Sequence, residues 1–267
     1  MKRLLTILAA ATVLVAGGTS TVVAKQDKEP AFKLPASAKL LPDGSYSLGK
    51  KMDPTTGKEV EGIVHVDYKK QDAKPSSNSA QARGGAACYS FIAAGLKWKT
   101  NEPWLLDPAN ARGLDGNFLL SHTAANLAKW ETAATVNIFG NGTLATGLAA
   151  DEVSPDNKNE VVFGAIAEPG VVAVTITWGY YNAPTKFREI VEWDQVFDDQ
   201  DYDWSAAGEA AKMDYDNVST HELGHAAGMG HPANSCTEET MYAYVGYGET
   251  KKRDLNPGDA AGINALY

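Results

Sequence analysis

The sequence predicts an α+β fold, because helical and strand patterns occupy separate stretches of the chain. Residues 118–134 place Phe118, Leu119, Leu127 and Trp130 at helical spacing with alanines between them, as an amphipathic helix resting on a sheet does. Strand-like runs follow this helix, and a second helical stretch follows the strands. Segregated helices and strands, without a repeating strand–helix alternation, are typical of the α+β class.

The strands are predicted from alternating or β-branched runs between turn residues. In chain order they are residues 62–68, 95–100, 135–139, 160–165, 171–178 and 189–197. The turns are marked by GNG at 140–142 and SPDN at 154–157. The first run, GIVHVDY, lies far upstream of the others, so we expect part of the leader to fold or to pair with the body.

The N-terminal third predicts export and later trimming. Lys2 and Arg3, the apolar run 4–16 and small residues up to Ala24 form a signal peptide pattern over 1–24, so we expect secretion. The run is shorter than the ~20 residues that span a bilayer, so no stable membrane anchor is expected. Residues 25–84 are predicted to be prosegment and linker, with the linker at 71–85, and residues 85–267 to be the main domain.

The charge distribution excludes one class of partner. The formal net charge is −9, and the excess of acidic groups lies after residue 84, whereas residues 25–84 are slightly basic. Phosphate binding needs a basic face, so nucleic acid is not an expected partner. A basic leader and an acidic body could attract one another, and the acidic surface could equally serve solubility.

The run NVSTHELGHAAGMGH at 217–231 contains the pattern His-Glu-x-x-His-x-x-Gly-x-x-His. Residues four apart share a helix face, so His221 and His225 can point at one ion. Gly228 stands where the chain must leave the helix, which a glycine does without steric cost, and this turn delivers His231 as a third ligand. Glu222 projects beside the metal, where it can hold and deprotonate a water. This ligand set predicts one catalytic zinc ion.

A methionine follows the third histidine and is the candidate for a methionine turn beneath the metal. Met241 lies ten residues after His231, in the run ETMYAY. A thioether also fills irregular gaps in many cores, so packing alone is the competing interpretation.

With these residues the C-terminal part of the chain resembles the matrixin branch of the metzincin zinc metalloproteases, in particular its prokaryotic members. The similarity spans roughly residues 95–267 and includes the histidine run, the Met241 turn, the strands EPGVVAVTITW and EIVEWDQVF, and the ending LNPGDAAGINALY. It implies a zincin-like catalytic domain, with a twisted mixed sheet and two long helices above a cleft, and a small irregular C-terminal lobe with a closing helix.

The same resemblance implies a function. We expect a secreted zinc-dependent endopeptidase, made as a zymogen and monomeric, that hydrolyses peptide bonds through a zinc-bound water activated by Glu222. A protein or peptide substrate would bind extended and add a strand to the sheet edge at 171–178. Tyr242, Tyr244 or Tyr247 could supply a hydroxyl to the oxyanion, although aromatic side chains mostly pack.

Three features depart from animal matrixins. Within residues 85–267 only His122 remains for a second, structural zinc, so that zinc is not expected. The cysteine context of their inhibitory prosegments is absent. The gap between His231 and Met241 is long and contains Cys236, so the specificity pocket does not carry over. Calcium is a candidate second ion at acidic loops such as 197–204, whose carboxylates have no defined ligand spacing.

One alternative function stays open. A secreted, non-catalytic zinc-binding or adhesive module would use the histidines structurally, with Cys236 as a fourth ligand, but would not explain Glu222.

The two cysteines also have two possible roles. Cys88 and Cys236 are expected to form a disulfide in an oxidising compartment. The competing role of Cys88 is a thiolate on the zinc of the proenzyme.

Overall fold

The computed structural model describes residues 30–70 and 88–267, which form a mixed α/β structure. The predicted signal peptide and linker lie outside the described residues. The described helices are α1 (Gly116–Ala134), α2 (Tyr215–Ala226) and α3 (Pro257–Leu266). The described strands are β1 (Lys39–Leu40), β2 (Tyr46–Met52), β3 (Glu59–Lys69), β4 (Ser90–Phe91), β5 (Glu102–Leu106), β6 (Phe139–Leu144), β7 (Glu160–Gly164), β8 (Val171–Gly179), β9 (Ile190–Asp198), β10 (Trp204–Ser205), β11 (Met213–Asp214), β12 (Met229–Gly230) and β13 (Tyr244–Val245).

The leader and the body share one mixed sheet. Its order is β1-β2-β3-β8-β9-β7-β5-β6, and β13 adds to β3. The leader strands β1 to β3 pair antiparallel, and β3 pairs antiparallel with β8 over eight register pairs from Glu61–Gly179 to Tyr68–Val171. On the other side, β9, β7, β5 and β6 run parallel to one another. The predicted pairing of the run 62–68 with the body is therefore present, in a longer strand than the sequence indicated.

Two apolar clusters lie on opposite faces of this sheet, because successive side chains of a strand point to opposite faces. The first cluster holds the helices, with Trp130, Leu223 and Met241 among its buried residues. The second cluster joins leader to body: Val64 and Val66 of β3 pack with Val174 and Ile176 of β8. The opposite face of the same two strands therefore faces the helices and carries the polar side chains described below.

The helices begin and end where the sequence supplies caps. Asp115 precedes α1 and accepts a hydrogen bond from Phe118 N–H at 2.9 Å, and Thr135 ends it with φ 58°. Pro257 opens α3 behind a capping box formed by Asn256 and Asp259. The predicted helix at 118–134 is confirmed, with a start at Gly116.

Two predicted strands were wrong in position. Residues 95–100 form turns, because Gly95 takes φ 71° and Trp98 is buried with its Nε1–H donating to Ala226 O at 2.8 Å, so this segment is held against α2. The first strand of the body that belongs to the main sheet is β5. The run 135–139 was also misplaced, since Thr135 is the left-handed end of α1 and the strand begins only at Phe139. The predicted strands 160–165, 171–178 and 189–197 agree with β7, β8 and β9 within about one residue.

Candidate metal centre

Helix α2 is fixed at its N-terminus by a charge pair between the buried Asp214 and the half-buried Arg253. Asp214 caps it by accepting from Asn217 N–H at 3.0 Å, and Arg253 binds both carboxylate oxygens of Asp214 at 2.8 and 2.6 Å. Bidentate pairing of this kind sets orientation as well as energy. The helix therefore presents His221 and His225, which are four residues apart, in a defined direction toward the sheet.

The chain leaves α2 through Gly228. This residue has φ 100°, and a Cβ there would lie 2.7 Å from Leu96 O, so both the conformation and the space favour glycine. The Gly228 N–H donates to His225 O at 2.8 Å. The turn carries the chain back so that His231 faces the two helical histidines.

The three histidines converge through their Nε2 atoms. The Nε2 atom of His231 lies 3.2 Å from that of His221 and 3.1 Å from that of His225. The Nδ1 atoms point away: that of His221 lies 2.6 Å from Thr240 O, and that of His225 lies 2.9 Å from Met229 O. Because a carbonyl only accepts, each of these Nδ1 atoms carries the proton, which leaves the Nε2 lone pairs of His221 and His225 facing the site.

A fourth ligand atom comes from the leader, and sequence reasoning missed it. Asp67 Oδ1 lies 2.9 Å from His221 Nε2 and 3.3 Å from His231 Nε2. Asp67 and the three histidines form one group that could hold a metal ion. The sequence held one sign of this ligand. The alternation of side chains in GIVHVDY places His65 and Asp67 on one face of β3, but the local sequence does not show which part of the protein that face contacts.

The donor set and its spacing suit zinc. Four ligands at zinc–ligand distances of 2.0–2.1 Å in a tetrahedron lie about 3.3 Å from one another. The distances above, 2.9 to 3.3 Å, approach that value. Lone pairs of neutral imidazoles held this close repel one another unless a cation lies between them, so the geometry fits a zinc ion.

Burial controls the protonation of the ligands. It lowers the pKa of His221 and, more strongly, that of His225, where neighbouring histidines add to the effect. His65 stacks on His225 with ring centroids 4.2 Å apart, and burial lowers its pKa to about 3. Burial opposes ionisation of Asp67, but the neighbouring His221 ring and the Lys252 ammonium outweigh it and hold its pKa well below the ordinary value. Neutral imidazoles beside a carboxylate are the protonation states that bind zinc.

Glu222 lies next to the ligands with one oxygen held and one free. Its Oε2 accepts from Thr175 Oγ1 of β8 at 2.5 Å, and its Oε1 is buried without a hydrogen-bond partner. Burial raises the pKa of Glu222 well above its ordinary value, and the negative charge of Asp67 adds to this. Thr175 lies outside the histidine motif, and no sequence signal connected it with Glu222.

Met241 packs against the helix that carries the histidines, and Cys88 and Cys236 are bonded to each other. Met241 is fully buried, and a Cβ on Gly224 of α2 would overlap its Sδ, so the thioether packs directly on the helix backbone. The Met241 N–H donates to Asp259 of α3 at 3.0 Å. Cys88 and Cys236 form a disulfide, so the structure contradicts Cys88 as a ligand and removes Cys236 as a free thiol for the rival module.

The remaining candidates are engaged elsewhere. His122 pairs with Asp216 at 2.9 Å on the far side of α2. In the acidic loop 197–204, Asp198 and Asp199 accept backbone N–H groups, and Asp203 pairs with Arg112 at 2.9 Å. Tyr247 packs against Tyr202 rather than on the histidines.

Three histidines around one point, an adjacent glutamate and a buried methionine match the residue pattern that is typical of metzincin metalloproteases. A family model described as Matrixin matches residues 183–267. The chain is also 36% identical over 76 residues to the metalloendoproteinase 2-MMP of Arabidopsis thaliana, an alignment that covers 26% of this chain and 19% of that protein. The chain thus spans about a fifth of that relative, and its C-terminal part is matrixin-like. The described residues contain no helix long and apolar enough to cross a membrane.

Proposed function

We propose that this protein is a secreted zinc-dependent endopeptidase, made as a zymogen whose leader, residues 25–84, suppresses activity until it is removed near residues 71–85. The observation that carries the activity is the convergence of the Nε2 atoms of His221, His225 and His231 beside Glu222. The similarity of residues 183–267 to matrixins supports the same reaction. Secretion rests on the N-terminal pattern of residues 1–24.

The three histidines would hold one zinc ion. When bound, zinc polarises the scissile carbonyl and makes a water at the site a stronger nucleophile at neutral pH. Glu222 would take the proton of the attacking water on its unpartnered Oε1 and pass it to the leaving amine.

The substrate would bind extended along β8. In this structure that edge is taken by β3, antiparallel over eight residue pairs, so the backbone of β8 can pair with an extended segment there. The leader therefore lies where the substrate would lie, and this position supports latency.

The test is to express the whole chain, remove the leader, and measure zinc content and cleavage of a peptide library. We expect one zinc per chain and loss of cleavage on chelation. Glu222→Ala should keep the zinc and lose most turnover, typically 10²–10⁴-fold for a general base. Glu238→Ala, whose side chain is 78% exposed, is the matched control and should cleave normally.

Two results would decide against the proposal. Zinc binding without cleavage of any peptide would favour the non-catalytic zinc-binding module. Equal cleavage by the full-length and trimmed chains would show that the leader does not inhibit.

A further inference from the structure

Asp67 is a buried carboxylate without a donor. Its side chain is 1% exposed, and neither oxygen has a hydrogen-bond partner. The buried cation Lys252 donates instead to Tyr242 O. An ionised carboxylate removed from water requires a paired cation or a metal. Asp67 Oδ1 instead lies 2.9 and 3.3 Å from the Nε2 atoms of two predicted zinc ligands, His221 and His231.

The strand that carries Asp67 is held on both sides. On one side Asp67 pairs with Ala173 of β8, and on the other Tyr68 pairs with Tyr244 of β13, just after the Met241 turn. The stacking of His65 on His225 fixes the face of β3 toward the metal centre. Position and direction of the carboxylate are thus set by the sheet, as the ligands of a built site require.

We propose that in the intact chain the Asp67 carboxylate is the fourth zinc ligand and closes the position that the catalytic water needs. This inference rests on the proposed zinc endopeptidase function and adds the means of latency. A tetrahedral zinc with four protein ligands lacks the open position of a catalytic site. Removal of the leader withdraws Asp67. The same event therefore opens both the fourth coordination position and the edge of β8.

The test uses the intact chain with Glu222→Ala to prevent self-cleavage, loaded with Co²⁺ in place of zinc. Azide is the probe, because a small anion enters an open metal position and alters the visible absorption of Co²⁺. We expect the intact chain to ignore azide and Asp67→Asn to respond, with an apparent azide affinity at least about tenfold higher. Glu59→Gln, on the same strand with a 57% exposed side chain, should behave as the unaltered chain.

The outcomes separate the two proposals. A chain that binds neither zinc nor cobalt contradicts the endopeptidase function itself. A chain that binds one ion and admits azide equally well with and without the Asp67→Asn substitution overturns only the ligand assignment.

A second measurement decides the matter if Asp67→Asn does not fold. Azide is then titrated into the Glu222→Ala chain before and after cleavage of the linker and removal of the leader. A response that appears only afterwards supports Asp67 as the ligand, and a response beforehand overturns it.

A second, independent observation concerns three acidic groups distant in sequence from the histidines. Asp151 and Asp156, in the loop between β6 and β7, offer oxygens within 4.8 Å of one another and of Glu192 on β9. Glu192 is fully buried with Oε1 unpartnered, and Asp151 Oδ2 is also buried without a partner. Lys158 pairs with Asp156. Burial and mutual repulsion raise the pKa of Asp151 to about 7 and that of Glu192 to about 9.

We infer that Asp151, Asp156 and Glu192 bind a hard divalent cation, Ca²⁺ by ligand type, since all the donors are oxygens. The site differs from the acidic loop 197–204 that the sequence suggested. The cation would join the loop before β7 to β9 and so strengthen the sheet beside β8.

The test is thermal unfolding of the zinc-loaded Glu222→Ala chain with and without about 10 mM Ca²⁺, with Na⁺ at equal ionic strength as reference. For a dissociation constant near 1 mM we expect Tm to rise by about 3 °C. Glu192→Gln should abolish the rise, whereas Asp254→Asn, whose side chain is 92% exposed, should retain it. No rise in the parent chain, or an undiminished rise in Glu192→Gln, would overturn the inference.

Discussion

At the scale of single residues, Glu222, the proposed base, is held by a neighbour from the sheet. Thr175 Oγ1 holds Glu222 Oε2 at 2.5 Å, which leaves Oε1 as the oxygen without a partner. A carboxylate fixed at one oxygen keeps its other oxygen in a defined direction. Thr175 is therefore a positioning residue, and β8 connects the substrate edge with the proposed base.

We predict that Thr175→Val lowers kcat of the leader-free enzyme by on the order of tenfold, the equivalent of one hydrogen bond to a charged group. Zinc content should not change, because the Thr175 hydroxyl bonds to Glu222, which is not a predicted ligand. Thr175→Ser restores the hydroxyl and should restore most of kcat. A normal kcat in the valine variant, with zinc bound, would remove Thr175 from this role.

At the scale of elements, α2 and its exit turn were accessible from sequence because their information is local. Spacing of four, a cap at Asp214 and a glycine at 228 specify a helix that ends before a left-handed residue. The contact of Asp67 with the histidines was not accessible, since it joins segments distant in sequence through β8. Pairing between distant strands is set by tertiary packing, which a periodic pattern does not specify. The same reason explains the misplaced strand at 95–100, where the Trp98 indole is bound to the end of α2 instead of lying in a sheet.

We predict that Gly228→Ala weakens zinc binding and destabilises the fold by more than the roughly 1–2 kcal/mol of left-handed strain alone. The added cost comes from the approach of the new Cβ to Leu96 O at 2.7 Å. Gly147→Ala is the matched control, because Gly147 has φ 74° with nothing within 4 Å of a Cβ. Urea unfolding and zinc titration of both variants make the comparison, and equal losses in the two would contradict the steric role of Gly228.

At the scale of the whole molecule, a disulfide and a leader strand join distant parts. The Cys88–Cys236 bond, present as predicted, connects segments 148 residues apart and fixes the start of the body beside the lobe that precedes α3. The leader adds its strands to the sheet and its valines to the second apolar cluster. The body thus gains one covalent and one non-covalent constraint.

We predict that the double variant Cys88→Ala, Cys236→Ala loses up to about 4–5 kcal/mol of unfolding free energy, the chain-entropy value for a loop of this length. The constraint acts on the unfolded chain, so the loss should appear in the denaturation midpoint and largely vanish when both proteins are compared under reducing conditions. An unchanged midpoint under oxidising conditions would contradict the prediction.

We also predict that the contact of the leader with Tyr180 weakens in acid. Burial opposes ionisation of Asp53, but hydrogen bonds from Thr56, Tyr180 and the backbone outweigh it and lower its pKa to about 2 from the ordinary 3.8. A lowered pKa in the folded state gives stability that is complete above about pH 4 and is lost as the pH falls toward 2.

The measurement is the stability difference between the metal-free chain and Asp53→Asn, followed by urea unfolding from pH 6 downward. The difference should shrink below about pH 4. Asp254→Asn serves as the exposed control and should show no such trend. A constant difference for Asp53→Asn across this range would count against the contact.

Both cysteines lie on the body side of the linker, and the described chain contains no free cysteine. A cut within residues 71–87 therefore leaves residues 30–70 bound to the body by non-covalent contacts, among them the β3 pairing and the shared valine cluster. The cut turns an intramolecular association into a bimolecular one, which depends on concentration. For the secreted zymogen proposed above, dilution after the cut would favour release of the leader from β8, and a high local concentration would favour its return. Under that proposal, the volume into which the chain is secreted would govern when proteolysis begins.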